Sequence, residues 1–245
     1  MKKISAILLA VVLLMSTCAF ADTLIMGTNT AFRPYEFYED GVIVGIDAEI
    51  AAAICEKLGY DLEILDMDFG GLISAVASGK IDFAMAGMTK TPEREQSVNF
   101  TMTYATGVQS IIVPENSPIT CLDDLYAENA GYKIGVQQGT TGDIYCTDDF
   151  GPDNVLQFLT GADAVAALVV GKVDCVIIDN NPAKAFVDAN EGLKLLETDY
   201  SEEEYAIAIA LDNTELLSRI DAALEELIAD GTIAEIVAYY IPVEE

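Results

Sequence analysis

Ser78-Gly79-Lys80-Ile81-Asp82-Phe83 returns, almost in kind, as Val170-Gly171-Lys172-Val173-Asp174-Cys175. In each copy a glycine ends a helical stretch and an apolar strand begins. Leu72, Ile73, Val76 and Ala77 mark the first helix, and Ala164, Val165, Leu168 and Val169 the second. The strands that follow are read over residues 81–86 and 173–178. Upstream, Ile46, Ile50, Ile54 and Leu58 recur at helical spacing, with Asp47 as the cap and Gly59 as the stop. Residues 23–27 and 60–65 flank that helix as strands. Around the second copy, residues 132–137 and 155–159 play the same part, and a helix follows the turn Gly139-Thr140-Thr141-Gly142. Pro182 opens a further helix as a first-turn proline, and helices over 214–229 and 233–240 close the chain. This alternation predicts an α/β fold made of two mainly parallel sheets flanked by helices. The repeat also carries Gly87 onto Asp179, at the carboxyl ends of equivalent strands, where open α/β sheets bind ligands. Two such units face to face make a cleft for a small ligand.

The composition narrows the class of ligand. The 245 residues carry 12 Lys and Arg against 41 Asp and Glu, a net charge of −29, and no histidine. Nothing here neutralises a run of phosphates, so no nucleic-acid partner is expected. Histidine-based catalysis and histidine-rich metal sites are excluded, and no cofactor or metal is expected. Lys2 and Lys3, the apolar run from Ile4 to Met15 and the small-x-small site Ala19-Phe20-Ala21 are the parts of a secretory signal peptide over 1–21. The run is short of the ~20 residues that span a bilayer. Export to the periplasm is therefore expected. Leu14-Met15-Ser16-Thr17-Cys18 also resembles a lipid-attachment site, which would instead anchor the chain at the cell surface through Cys18. Cys55, Cys121, Cys146 and Cys175 lack metal spacing. Cys55 and Cys175 read as buried fillers, and an oxidising compartment permits a Cys121–Cys146 disulfide.

Gly27-Thr28-Asn29-x-x-Phe32-x-Pro34-Tyr35-Glu36-Phe37, with Gly45-Ile46-Asp47 after it, resembles the opening of the amino-acid-binding proteins of bacterial ABC importers, the solute-binding protein family 3. Gly87-Met88-Thr89-x-Thr91-Pro92-Glu93-Arg94 is similar to their carboxylate-binding segment. Val136-Gln137-Gln138-Gly139-Thr140-Thr141-Gly142 and Asp174-x-x-x-x-Asp179 are similar to their second-lobe segments. The resemblance implies a two-lobed periplasmic-binding fold of type II: lobe 1 over 22–110, lobe 2 over 111–205, then lobe 1 again over 206–245. The chain would cross between lobes near 110–113 and 204–208. The resemblance further implies a monomer that delivers a free amino acid to a membrane permease, and no enzyme.

Roles follow residue by residue from that resemblance. Arg94 would clamp the ligand α-carboxylate, since a guanidinium forks two parallel hydrogen bonds onto it. Backbone N–H groups of Thr89 and Thr141 would help, with Thr140 beside them at the start of a helix. Asp179 would take the α-ammonium, assisted by the Gly87 carbonyl and the Thr89 hydroxyl, with Met88 between these two; capping the helix at Pro182 is the alternative use of Asp179. Phe32 and Phe69 would sandwich the ligand side chain. Asn29 and Gln137 would meet its far end. Two neutral amides there favour a neutral polar ligand, glutamine first, with arginine or lysine second. A dehydratase-like enzyme on the same fold is the remote alternative, and it lacks a positioned general acid or base.

Overall fold

The computed structural model describes residues 22–128 and 130–242; the expected signal segment and Cys18 lie outside them. Two five-stranded sheets carry the fold. In the first, β1 (Thr23–Thr28) runs parallel between β5 (Asp61–Asp66) and β6 (Phe83–Ala84). Two antiparallel strands complete it, β13 (Ala208–Ala210) beside β6 and β7 (Val98–Phe100) at the edge. In the second, β9 (Ile134–Gln137) runs parallel between β10 (Val155–Phe158) and β11 (Cys175–Asp179). Antiparallel β8 (Ala105–Pro114) and β12 (Leu193–Tyr205) extend it. Each sheet is thus a parallel trio extended by two strands through two successive antiparallel pairings. A small antiparallel sheet of β2 (Ala31–Phe32), β3 (Glu36–Glu39) and β4 (Val42–Val44), unforeseen in the sequence, projects from the first lobe.

Helices cover both faces of each sheet. On the first, α1 (Ile46–Leu58) buries Ile50 and Ile54 with Met26 and Phe83. The two C-terminal helices, α6 (Thr214–Ala229) and α7 (Thr232–Tyr240), pack on α1 and add Ile220 and Leu224 to that layer. The opposite face is filled from α2 (Leu72–Ala77) by Leu72 and Val76, against Ile81 and Val98. On the second sheet, α3 (Thr141–Phe150) covers one face with Cys146. The other face holds α4 (Gly161–Val169) and α5 (Asn180–Ala189), through residues such as Leu168 and Ala183.

The structure revises several expectations. Asp47 does not cap α1; Gly45 holds that position, and the Asp47 carboxylate is turned inward. An acid in a first helical turn fits either use, so the sequence alone does not separate them. The apolar run Ile111–Ile112–Val113 is not a crossing between lobes. It is the buried interior of β8, which lies in the second sheet along its whole length. The chain therefore leaves the first sheet before Ala105 and re-enters it between Tyr205 and Ala208. All four described cysteines are unbonded. Cys146 lies fully buried in the second lobe's core. Cys121 is half-exposed at the start of the turn at Leu122–Asp124, where its N–H donates to Asp124.

Candidate functional site

A cleft lies between the carboxyl ends of the two parallel trios. Asn29, just past β1, and Phe32, on β2, bring one wall. Phe69 and the Gly87–Thr89 segment bring the next, together with Arg94. The facing wall comes from Gln137 at the end of β9, Thr140 and Thr141 at the start of α3, and Asp179 at the end of β11. These residues, drawn from across the whole chain, all line the one cleft. Met88 does not. Strand-like alternation turns Gly87 and Thr89 to the cleft and Met88 to the core, where it is fully buried beside Leu72 and Val98.

Arg94 is buried, and burial lowers the pKa of its guanidinium, while Glu203 acts to raise it. Its Nη1 donates to the Thr89 carbonyl (2.5 Å) and its Nη2 to the Gly139 carbonyl (3.1 Å), so it spans both lobes. The guanidinium carbon stands 5.4 Å from the centre of the Phe69 ring. Among the described residues no carboxylate forms an ion pair with it. The turn that offers Gly139 is fixed by Asp143, whose Oδ2 accepts from the Gly139 N–H (2.9 Å). The Asp143 N–H in turn donates to the Thr140 hydroxyl (3.2 Å), capping α3. The start of α3, with its unpaired N–H groups, therefore faces the guanidinium across the cleft. That is an arrangement for an anion.

Asp179 serves in one of the two ways expected for it, as the cap of α5. Its Oδ1 accepts from the Asn181 N–H (3.0 Å) and caps α5, while its Oδ2 accepts from the Val108 N–H (3.1 Å) and the Tyr205 hydroxyl (2.6 Å). Burial pushes its pKa up to about 6 against the pull of these three donors. Gly107 permits this approach: a Cβ there would collide with the Asp179 carboxylate and the Tyr205 hydroxyl. Gly87 is held at φ +51°, and a Cβ on it would come within 2.6 Å of the Phe32 ring. Phe32 stacks on Tyr35, and Tyr35 meets Tyr205 edge-on. The aromatic wall and the buried aspartate are thus one packed unit.

At the far end the two amides meet each other. Gln137 Nε2 donates to Asn29 Oδ1 (3.0 Å), and Asn29 Nδ2 donates to the Met67 carbonyl (2.9 Å). This bond joins the lobes at the opposite end of the cleft from Arg94–Gly139. Asp68 lies with Gly70 and Gln138 in a separate recess.

Four polar residues escaped the sequence reading. Gln109 on β8 and Tyr205 on β12 line the cleft, as does Glu36 on β3. Glu36 is fully buried against Asp47, and burial first, then the Asp47 charge, holds its pKa well above the carboxylate range. Asp47 accepts from the Gly87 N–H (2.8 Å) and the Tyr104 hydroxyl (2.8 Å). Burial still raises its pKa to about 7. The two buried acids lie directly behind Gly87. Glu203, on β12, accepts from the Thr89 hydroxyl. Nothing in the sequence singles out Glu203: residues 202–204 are all glutamate, and only pairing as a strand exposes Glu202 and Glu204 and buries Glu203.

Known proteins share this organisation. The arginine-binding extracellular protein ArtP of Bacillus subtilis (strain 168) is 32% identical over 87% of this chain and 84% of its own length. The arginine-, lysine-, histidine-binding protein ArtJ of Geobacillus stearothermophilus superposes with a TM-score of 0.84 at 32% identity, covering 91% of this chain and 97% of that one. An ancestral arginine-binding protein bound to glutamine gives a TM-score of 0.84 at 39% identity, over 90% and 98%. The fold is that of the two-lobed type II periplasmic binding proteins. Residues 24–243 match the bacterial extracellular solute-binding proteins, family 3, and the chain belongs to that family.

Proposed function

We propose that the protein is an extracytoplasmic receptor. It closes its lobes on one free amino acid, arginine in first place, and presents it to the membrane permease of an ABC importer. Arg94 and the start of α3 take the carboxylate, and Asp179 takes the ammonium. Phe32 and Phe69 flank the side chain. No step of covalent chemistry is assigned to any of them. Lys2, Lys3 and the apolar run before Ala21 support export to the periplasm, with lipid anchoring at the cell surface through Cys18 as the alternative. The receptor acts as a single chain.

The observation that carries the choice of ligand is the charge around the cleft. One guanidinium, Arg94, stands against Asp179, Glu203 and the buried Glu36–Asp47 pair. A zwitterion leaves that excess of buried negative charge uncompensated, whereas a cationic side chain offsets part of it. Counting only Asn29 and Gln137 gave glutamine; the buried acids reverse the balance. Relatives named for arginine support the same choice. Glutamine stays as the second reading because Asn29 and Gln137 present amide donors and acceptors to an amide, and one similar protein is solved with it. Parallel calorimetric titrations of ligand-stripped protein decide between them. Arginine is expected to bind at least tenfold more tightly, and Asn29→Asp to widen the gap. Glutamine binding tenfold more tightly would reverse the order.

A further inference from the structure

We infer that Glu203 is a positioning residue for the ligand ammonium, acting through the hydroxyl of Thr89. The inference rests on the amino-acid-receptor reading and deepens it. Glu203 lies on β12 just before the chain returns to the first lobe, and only 1% of its surface is exposed. Its Oε2 accepts from the Thr89 hydroxyl. Thr89 belongs to the first lobe and Glu203 to the second sheet, so this bond ties together the two walls that meet at the ligand backbone.

The direction of the bond decides what Thr89 can do. A hydroxyl has one proton and two lone pairs. With the proton committed to Glu203, the Thr89 oxygen faces the cleft as an acceptor, and an ammonium N–H is the donor it suits. The carboxylate behind it polarises that hydroxyl, and negative charge is felt at the ammonium without Glu203 touching it. Glu203 Oε1 has no protein partner and is buried, so the residue is not present merely to satisfy the fold. The charged and titratable groups around it are Arg94, Tyr145, Asp179 and Tyr205. Arg94 attracts it and Asp179 repels it, which leaves a carboxylate whose charge is best compensated when an ammonium arrives beside Thr89. Burial raises its pKa, and the Thr89 hydroxyl and Arg94 oppose that shift.

The test compares arginine with δ-guanidinovalerate, which keeps the carboxylate and guanidinium and lacks the ammonium. Glu203→Gln keeps a side-chain acceptor for Thr89 and removes the charge. It should weaken arginine binding about tenfold, or ~1.4 kcal/mol, and change δ-guanidinovalerate binding by less than about twofold. In a Thr89→Val background the same substitution should change arginine binding by less than about twofold, because the path is already cut. Unchanged melting of the ligand-free variants shows that the fold is kept; should Glu203→Gln melt early, Thr89→Val alone is the substitute, and it too should weaken arginine far more than δ-guanidinovalerate. Equal losses for both ligands, or tighter arginine binding by Glu203→Gln, would overturn the assignment while leaving the receptor reading intact. Wild-type protein that binds no amino acid would overturn both.

Discussion

Arg94→Ala is expected to weaken binding of the amino acid by roughly 30-fold to several thousand-fold, the ~2–5 kcal/mol lost when one partner of a buried charge pair is removed. The guanidinium is already desolvated and already held, by the Thr89 and Gly139 carbonyls and by the Phe69 ring. The ligand carboxylate therefore meets a charge whose burial and orientation are in place before it arrives. Without Arg94 that carboxylate would be enclosed with only backbone N–H donors. Arg94→Lys should recover a fraction of the loss, since an ammonium cannot fork. Arg94 also bonds across the lobes, so closure itself is weakened in the variant. Agmatine, which has no carboxylate, separates the two effects: its affinity should fall far less than that of arginine. Calorimetry placing Arg94→Ala within threefold of wild type for arginine would remove the carboxylate assignment.

Asp179→Asn should cost roughly 30-fold or more, again by orphaning one member of a buried charge pair. Asparagine keeps an acceptor oxygen for Val108 and Tyr205 and sets its NH2 against the Asn181 N–H, so the α5 cap is weakened while the side-chain shape is kept. The pH profile carries a second signature. Burial raises Asp179 to about 6 in the ligand-free fold. Its contribution to stability is therefore full below the ordinary carboxylate pKa of about 4 and is lost as pH rises through about 6. At neutral pH the fold carries a charged, under-compensated carboxylate, and the ligand ammonium relieves it. Affinity should be level above about pH 6 and fall below it, by up to about tenfold per pH unit. In Asp179→Asn that acid limb should flatten. Wild-type affinity unchanged from about pH 8 to about pH 5 would contradict the role given to Asp179.

The roles of Arg94 and Asp179 came from the family resemblance: an arginine among so many acids also reads as a surface ion pair, and a carboxylate ending an apolar strand also reads as a helix cap. The doubled α/β unit was legible directly, because glycine stops and apolar strands repeat at matched positions. What was hidden lies on the strands that connect the lobes. The polar run 201–204 reads as a solvated loop, yet pairing with β8 makes it a strand and turns Glu203 inward. Gln109 sits beside the apolar run 111–113 and gives no sign that β8 passes along the cleft. Asp47 and Glu36 were hidden differently. Each belongs to a motif read for its resemblance, and only tertiary packing shows that the two acids face each other. With those acids left out, the charge balance rested on Asn29 and Gln137 alone, and that balance put glutamine ahead of arginine.

The central claim is that one cleft recognises both ends of an amino acid backbone, with a guanidinium on one lobe and a carboxylate on the other. The most direct measurement is calorimetry of the ligand-stripped protein with arginine, with agmatine and with δ-guanidinovalerate under one set of conditions. These share the guanidinium and differ only in which backbone charge they retain. The account predicts a single site for arginine, and binding of each analogue weaker by about 30-fold or more. Either analogue binding within about threefold of arginine, with the wild-type cleft intact, would contradict it.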